Sequence, residues 1–161
     1  MNDSFARNDD IRTIVTTYRD SILRLAYSYL KNRSDAEDIA QEVFIAYIKH
    51  TPHCETDAQL KAWLMRVTAN KCKNLLASAW KKRTVTISDD LTYMPPENAG
   101  VLEYVLSLDE KYRIPLHLFY YEGYSIDEIA HFLKAKPATV GTWLARGRKL
   151  LKDKIGDNYY E

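Results

Sequence analysis

The 161-residue sequence has little of what would identify a membrane, secreted or disulfide-rich protein. Its two cysteines, Cys54 and Cys72, do not make a disulfide framework, and so few cysteines fit a reducing cytosol. Nothing close to the roughly 18 consecutive apolar residues of a transmembrane helix occurs, and the N-terminal stretch MNDSFARNDD is polar and acidic. We therefore expect no transmembrane helix and no secretory signal peptide.

Catalytic motifs are missing as well. No glycine-rich phosphate loop, nucleophile elbow or metalloprotease signature occurs. The stretch HTPHC contains His50, His53 and Cys54, but these lack the paired spacing of zinc sites and no second cluster completes a set of four. The sequence therefore predicts no enzyme, no cofactor and no small-molecule substrate, and it leaves open whether these three residues bind a metal.

Charge is unevenly distributed along the chain, although the net charge is only +1. Residues 61–83 contain seven basic residues and no acidic one, and residues 134–152 contain six basic residues and no acidic one. Residues 84–110, between them, contain six acidic residues and no basic one. A solvated charged helix is the alternative, but such helices normally mix signs. The two basic blocks therefore predict two surfaces that bind a polyanion.

Hydrophobic periodicity predicts an all-α fold that begins with three amphipathic helices. The first spans about residues 10–31, the second starts at a capping box of Ser34 and Glu37 and ends near residue 49, and the third spans about residues 58–82. Together they would close a first domain of residues 1–83. The core positions predicted in the second and third helices are Ile39, Ala40, Val43, Phe44, Tyr47, Ile48, Leu60, Trp63, Leu64, Val67, Leu75, Leu76 and Ala79.

The second half of the chain predicts a linker and a smaller helical domain. Residues 84–100 are acidic, contain two prolines and lack helical periodicity, which is typical of a flexible linker. In the domain of residues 101–161, short helices are expected at about 101–108 and 112–122, the latter ended by Gly123. Ser125 and Glu128 form a capping box for the next helix, and Pro137 lies in the first turn of the last one. Two short helices with a tight break, of which the second is basic, predict a helix-turn-helix.

The last helix separates into two sides when its residues are placed at 100° intervals. The core side contains Val140, Leu144, Gly147 and Leu151. Threonine and basic side chains on the opposite side suit contacts to phosphates and base edges in a major groove. The residues of this side are Thr139, Thr142, Arg146 and Lys149, with Trp143 and Ala145 on its flanks.

The second helix has an acidic outer side with an apolar residue at its centre. A solvated acidic face is the alternative, but the central isoleucine favours a protein-binding surface that is complementary to a basic partner. We call this set the acidic face; its residues are Asp35, Asp38, Gln41, Glu42 and Ile45.

The third helix holds polar residues away from its apolar stripe. Asparagine can pair with base edges and lysine with phosphate, which makes this side a candidate DNA surface. Trp63 is expected to pack in the core, whereas Trp80 suits either packing or base stacking. The candidate residues are Asn70, Lys71, Lys73, Asn74 and Lys81, which we call the third-helix surface.

Three stretches of the chain resemble a known family. Residues 35–48 read DAEDIAQEVFIAYI and resemble region 2.2 of bacterial sigma factors. Residues 60–76 read LKAWLMRVTANKCKNLL and resemble regions 2.3 and 2.4, and residues 124–151 read YSIDEIAHFLKAKPATVGTWLARGRKLL and resemble region 4.2. With two lobes and a short linker only, the chain resembles the extracytoplasmic-function (ECF) group of the sigma-70 family over about residues 10–154.

The resemblance implies a promoter-specificity subunit of RNA polymerase in the bacterial cytoplasm. The acidic face would bind the clamp helices of the largest polymerase subunit, and the second domain would bind the flap of the second-largest subunit. The third-helix surface and the loop of residues 50–59 would read and open the promoter −10 element. The last helix would read the −35 element, with Thr142, Ala145 and Arg146 on bases and Thr139 and Lys149 on phosphates. A cognate anti-sigma factor, in some relatives membrane-bound, is a further implied partner.

A different class of DNA-binding protein stays open from the residues alone. A repressor or activator would use the first lobe for dimerisation, but the acidic face would repel its own copy, whereas a dimer interface has to be self-complementary. The recognition helix also departs from many relatives, because Gly141 and Trp143 replace basic residues. We expect Gly141 and Gly147 to weaken this helix by about 1 kcal/mol each relative to alanine.

Overall fold

The computed structural model describes residues 2–82 and 99–156, and every helix or strand assigned in these ranges is an α-helix. The chain divides into two compact units, Met1–Asp89 and Asp90–Glu161. These findings confirm the prediction of two small all-α domains. The helices are α1 (Asn2–Leu30), α2 (Arg33–His50), α3 (Asp57–Lys82), α4 (Ala99–Leu106), α5 (Glu110–Tyr120), α6 (Ile126–Leu133) and α7 (Pro137–Ile155).

The predicted linker falls almost entirely outside the described residues. Residues 84–98 are in the part of the chain that the structure leaves undescribed, and the last two linker residues, Ala99 and Gly100, begin α4. The predicted limits of the domains, at residues 83 and 101, therefore stay predictions.

The first unit is built from α1, α2 and α3, each of which packs against the other two. On the core side of α1, buried residues recur every three or four positions, as the sequence predicts; they include Ile22, Leu25, Ala26 and Tyr29. Between α2 and α3, the rings of Tyr47 and Trp63 meet edge to face with their centroids 6.2 Å apart. Trp63 is thus a packing residue. The largest fully buried side chains of this unit are Ile22, Leu23, Leu25, Val43, Leu64, Met65 and Thr68.

The core side of α3 differs from the predicted stripe. Leu64 is buried as expected, but the residues that follow it into the core are Met65, Thr68, Ala69 and Cys72, while Leu75 is 37% exposed. The hydroxyl of Thr68 donates a hydrogen bond to the carbonyl of Leu64 at 2.7 Å, so the polar group is satisfied inside the core. Thr68 interrupts the apolar spacing of this side, so the larger residues Val67, Leu75 and Leu76 gave the stripe that the sequence predicts.

The start of α2 also differs from the prediction. The N-cap is Asn32, whose side-chain oxygen accepts a hydrogen bond from the backbone N–H of Asp35 at 3.0 Å. The capping box of Ser34 and Glu37 is therefore wrong, and Glu37 instead pairs with Arg33 at 3.4 Å. Asparagine caps helices as well as serine does, so a cap two residues before Ser34 satisfies the start of α2 equally well.

The second unit consists of α4 to α7. The capping box of Ser125 and Glu128 is confirmed, because each residue donates its backbone N–H to the other's side chain at 3.1 Å. Pro137 lies in the first turn of α7, as predicted. The helices α4 and α5 both start about two residues earlier than predicted. Gly123, with φ of +72°, lies in the turn after α5, where the backbone conformation favours glycine.

A buried polar pair lies at the end of α5, directly before the helix-turn-helix. The Nε2 atom of His117 is 3.5 Å from Oε1 of Glu122, and the two side chains are 6% and 1% exposed. The ring of Tyr121 stacks on His117 with centroids 5.4 Å apart, and burial raises the pKa of Tyr121 above its ordinary value of 10.0. The pair therefore joins α5 to the following turn in an environment with little water.

Gly147 lies where α7 packs closely against α5. Of the glycines whose surroundings the structure describes, it has the closest neighbours. A Cβ atom at this position would lie 2.8 Å from Cδ1 of Leu116 and 3.4 Å from Cβ of Tyr112. Leu116 is 2% exposed, so its Cδ1 would have to shift within the packed core of the second unit. The glycine thus suits the close packing of α7 on α5, although it lowers the helix propensity of α7.

Gly141→Ala and Gly147→Ala should have opposite effects on the second unit. No atom lies within 4 Å of a Cβ built at Gly141, so we expect alanine there to raise the free energy of unfolding by about 0.5–1 kcal/mol. At Gly147 the clash exceeds that gain, and we expect a loss of about 1 kcal/mol. Hydrogen exchange of the α7 amides in the full chain measures both changes, and equal stabilisation by the two substitutions would contradict the packing argument.

Removal of one member of the His117–Glu122 pair should destabilise the second unit strongly. We expect Glu122→Leu to lower the free energy of unfolding by about 3 kcal/mol or more, because a buried imidazole loses its partner. His117→Leu combined with Glu122→Leu should recover part of this loss, since the buried imidazole that lost its partner is then removed as well. Urea denaturation of the single and double variants measures the difference, and additive losses would contradict the prediction.

Candidate functional surfaces

The acidic face lies on the solvent side of α2. Its residues Asp35, Asp38, Gln41, Glu42 and Ile45 are all exposed, while Ala36, Ile39, Ala40 and Val43 are buried on the opposite side. The helix thus holds three carboxylates along its solvent side, all N-terminal to Ile45, which is 50% exposed. The neighbouring carboxylate of Glu37 pairs with Arg33 within the same helix.

A second exposed isoleucine extends the acidic face and was missed by the sequence interpretation. Ile48 is 41% exposed and lies three residues after Ile45, so both project from the same side of the helix. The prediction that Ile48 belongs to the core is wrong. The spacing of Asp38, Gln41, Ile45 and Ile48 at three and four residues could have placed it outside. The face therefore presents two adjacent apolar side chains beside its carboxylates.

The third-helix surface is partly exposed as predicted. Asn70, Lys73 and Asn74 are exposed on α3, whereas Lys71 is half-buried. The Nζ atom of Lys71 lies 3.8 Å from Oε2 of Glu42, which belongs to the acidic face. The side chains of Trp80 and Lys81 lie outside the described residues. Of the predicted residues, the structure thus brings three together on the solvent side and directs one toward α2.

The loop before α3 is held by its own hydrogen bonds. The Thr56 hydroxyl accepts a hydrogen bond from the backbone N–H of Gln59 at 3.1 Å, and the Gln59 side chain accepts one from the backbone N–H of Glu55 at 2.8 Å. His50 and His53 are exposed and Cys54 is half-buried. Among the described residues, no three His, Cys, Asp or Glu side chains form a group that could hold a metal ion.

The recognition helix α7 places its two sides as predicted. Val140 and Leu144 are buried against the rest of the second unit. Thr142, Ala145, Arg146 and Lys149 are exposed, and Thr139 and Trp143 are half-buried. The Thr142 hydroxyl donates a hydrogen bond to the carbonyl of Ala138 at 3.0 Å. The exposed side thus combines a threonine, an alanine and two basic side chains within about two helical turns.

The orientation of α7 is set by short connections. The turn between α6 and α7 begins at Lys134, whose left-handed backbone (φ 56°) lets its N–H bond to the carbonyls of Ala130 and His131. Lys136 is the N-cap of α7, so only three residues separate the two helices. On the flank of α7, Arg148 donates a hydrogen bond to the hydroxyl of Tyr120 in α5 at 3.3 Å. These contacts fix α6 and α7 as a helix-turn-helix, in which α7 is the second helix and carries the basic residues.

Two family models match the chain in order. The model of Sigma-70 region 2 matches residues 14–82, which include the acidic face and the third-helix surface. The model of Sigma-70 region 4 matches residues 99–151, which include α6 and most of α7. No helix in the described ranges has the length and apolar character that a membrane span requires.

Similar proteins align along most of the chain. The ECF RNA polymerase sigma factor SigW of Bacillus subtilis (strain 168) is 29% identical, over 92% of this chain and 90% of the relative. The ECF RNA polymerase sigma factor SigM of the same organism is also 29% identical, over 88% of this chain and 93% of the relative. The ECF RNA polymerase sigma-E factor of Escherichia coli (strain K12) is 23% identical, over 88% and 84%.

A solved structure shares the fold. It is a co-crystal structure of the sigma factor RpoE with the anti-sigma factor NepR from Bartonella quintana, which matches with a TM-score of 0.76 over 89% of this chain and 95% of that chain, at 17% sequence identity. The two family models match the chain in the order of its two units. The chain belongs to the ECF group of the sigma-70 family of bacterial RNA polymerase sigma factors.

Proposed function

We propose that this protein binds core RNA polymerase and directs transcription initiation at promoters that carry specific −35 and −10 elements. The observation that supports this function most strongly is the presence, in one chain, of a region 2 unit with an exposed acidic face and a region 4 unit with an exposed basic recognition helix. The polymerase supplies the chemistry of RNA synthesis, so this function requires no catalytic residue in the sigma factor. It is carried out in the cytoplasm, where the polymerase acts.

The acidic face is the proposed docking site for the clamp helices of the largest polymerase subunit. Ile45 and Ile48 supply exposed apolar area that a partner can cover, and buried apolar anchors carry much of the affinity of interfaces. Asp35, Asp38 and Glu42 place negative charge on the N-terminal side of this area, which favours a basic partner and accelerates its association. The second unit would bind the flap of the second-largest subunit.

The third-helix surface is the proposed contact to the −10 element. Asn70 and Asn74 are exposed one turn apart on α3, so both amides can reach the same stretch of a separated strand. Lys73 lies between them in sequence and suits a phosphate contact. The loop of residues 51–56 directly precedes α3, and the hydrogen bonds of Thr56 and Gln59 hold it at the start of this helix.

The exposed side of α7 is the proposed contact to the −35 element. Arg146 can form two hydrogen bonds to a guanine, and Ala145 offers a methyl group to thymine. Thr139 and Lys149 lie on either side of these residues and suit phosphates. Trp143 is half-buried beside them and adds apolar area at the edge of the contact.

An anti-sigma factor is a proposed regulator of this protein. The relative from Bartonella quintana was crystallised with such a partner. A protein that covers the acidic face would block the polymerase, because the same carboxylates and isoleucines would serve both contacts. Retention at the membrane would follow if that regulator is itself a membrane protein.

Reversal of one charge on the acidic face should abolish transcription. Asp38→Arg places a cation where the proposed partner is basic, so the expected result is a loss of run-off transcripts from core polymerase and a pool of genomic promoter fragments. Asp20→Arg is the matched control, because it reverses an exposed carboxylate on α1 in the same unit. Equal activity of both variants would contradict docking through the acidic face.

Two substitutions on α7 should separate base contacts from phosphate contacts. Arg146→Ala should weaken holoenzyme binding to its selected promoter by about 1–3 kcal/mol and relax the preference at one base pair of the −35 element. Lys149→Ala should weaken binding to all promoters alike. It should also reduce the slope of log affinity against log salt concentration by about 1, because one phosphate contact is lost. Promoter selection from randomised −35 elements measures both, and an unchanged preference in Arg146→Ala would refute the assignment.

A further inference from the structure

One ion pair joins the two proposed binding surfaces of the first unit. Nζ of Lys71, on the third-helix surface, lies 3.8 Å from Oε2 of Glu42, on the acidic face. Glu42 would meet the polymerase and Lys71 would meet the promoter. The pair therefore connects two residues that have different partners in the assembled initiation complex.

The pair changes what each residue offers to a partner. Lys71 is half-buried beside α2 and its charge is balanced by a carboxylate, whereas Lys73, two residues later, is exposed. A lysine that neutralises a carboxylate contributes less to the binding of a polyanion, because a phosphate has to displace that carboxylate first. In the free protein, Glu42 thus competes with DNA for Lys71.

The exchange of partners requires little energy. The two side chains are 32% and 57% exposed, and exposed ion pairs contribute little to stability because water and salt screen them. A basic side chain of the polymerase can therefore take the place of Lys71 on Glu42. The carboxylate would then be neutralised by the polymerase, and Lys71 would be able to turn to a phosphate.

We propose that docking of the polymerase on Glu42 releases Lys71 for the promoter backbone, so that this ion pair couples polymerase binding to DNA binding. The inference rests on the proposed function, since it takes the acidic face as the docking site. Coupling between two binding sites is reciprocal, so DNA on Lys71 also strengthens the contact of Glu42 with the polymerase. Lys71 thereby acts as a DNA contact in the holoenzyme and only weakly in the free protein.

The free full-length chain provides the first test. Its affinity for a fluorescent single-stranded oligonucleotide of mixed sequence is measured over a series of salt concentrations for the wild type, Glu42→Gln, Lys71→Gln and the double variant. Glu42→Gln should bind the oligonucleotide about threefold more tightly than the wild type, and about fivefold is the upper limit for an exposed ion pair. The slope of log affinity against log salt concentration should be steeper by about 0.7. The double variant should show neither change relative to Lys71→Gln.

Asp38→Asn is the matched control. It removes one negative charge from the same face of α2 and leaves the Glu42–Lys71 pair in place. A gain in affinity that is equal in Asp38→Asn and Glu42→Gln, or that persists in the double variant, would overturn the inference, because it would reflect general charge and not this pair. A mere loss of helix stability would not produce a steeper salt slope.

The same four proteins are then compared as holoenzymes on promoter DNA. The coupling between positions 42 and 71, taken from the double-mutant cycle, should be present in the free chain and absent in the holoenzyme. Coupling that is unchanged in the holoenzyme would overturn the inference, because Glu42 would then still hold Lys71. Failure of the wild type to bind core polymerase would instead overturn the proposed function, whatever the free-chain result.

Discussion

Every helix of this protein has to bury one side against its neighbours, because a helix of 8 to 29 residues gains most of its stability from packing. This constraint decides which residues are left for partners. In α7, the buried side of Val140, Leu144 and Gly147 leaves Arg146 on the opposite side. In α2, burial of Ile39 and Val43 leaves Asp38 outside. The same geometry that forms the cores thus presents the binding surfaces on rigid scaffolds.

The predictability of each element follows from how its core side is marked in the sequence. The capping box of α6 and the core side of α7 could be predicted, since Ser125 and Glu128 form a specific pattern and the core positions of α7 are all apolar or glycine. The core side of α3 could not, because it runs through Thr68 and Cys72, and the hydroxyl of Thr68 is satisfied within its own helix. The exposure of Ile48 and the Glu42–Lys71 pair depend on how α2 packs against α3. The residue pattern of either helix alone therefore does not predict them.

The nearly neutral net charge fits a subunit that acts within a larger assembly. A protein that binds DNA alone needs a large excess of basic residues, because release of counterions supplies most of the non-specific affinity. Here the basic blocks are balanced by the acidic residues of α2 and of residues 84–110. Two contacts on one assembly raise the effective concentration of each, so moderate affinity at each DNA element suffices. Weak binding by the free chain would also limit its capture on non-promoter DNA.

The hydrogen bond from the Thr142 hydroxyl to the carbonyl of Ala138 limits what this residue can recognise. While the hydroxyl proton is bound to the backbone, the oxygen has only lone pairs to offer to a base. In the major groove, an acceptor suits the amino group of adenine or cytosine and is repelled by the carbonyl oxygens of guanine and thymine. In the proposed −35 contact, a bond inside its own helix would thus make this threonine a selective reader of amino groups.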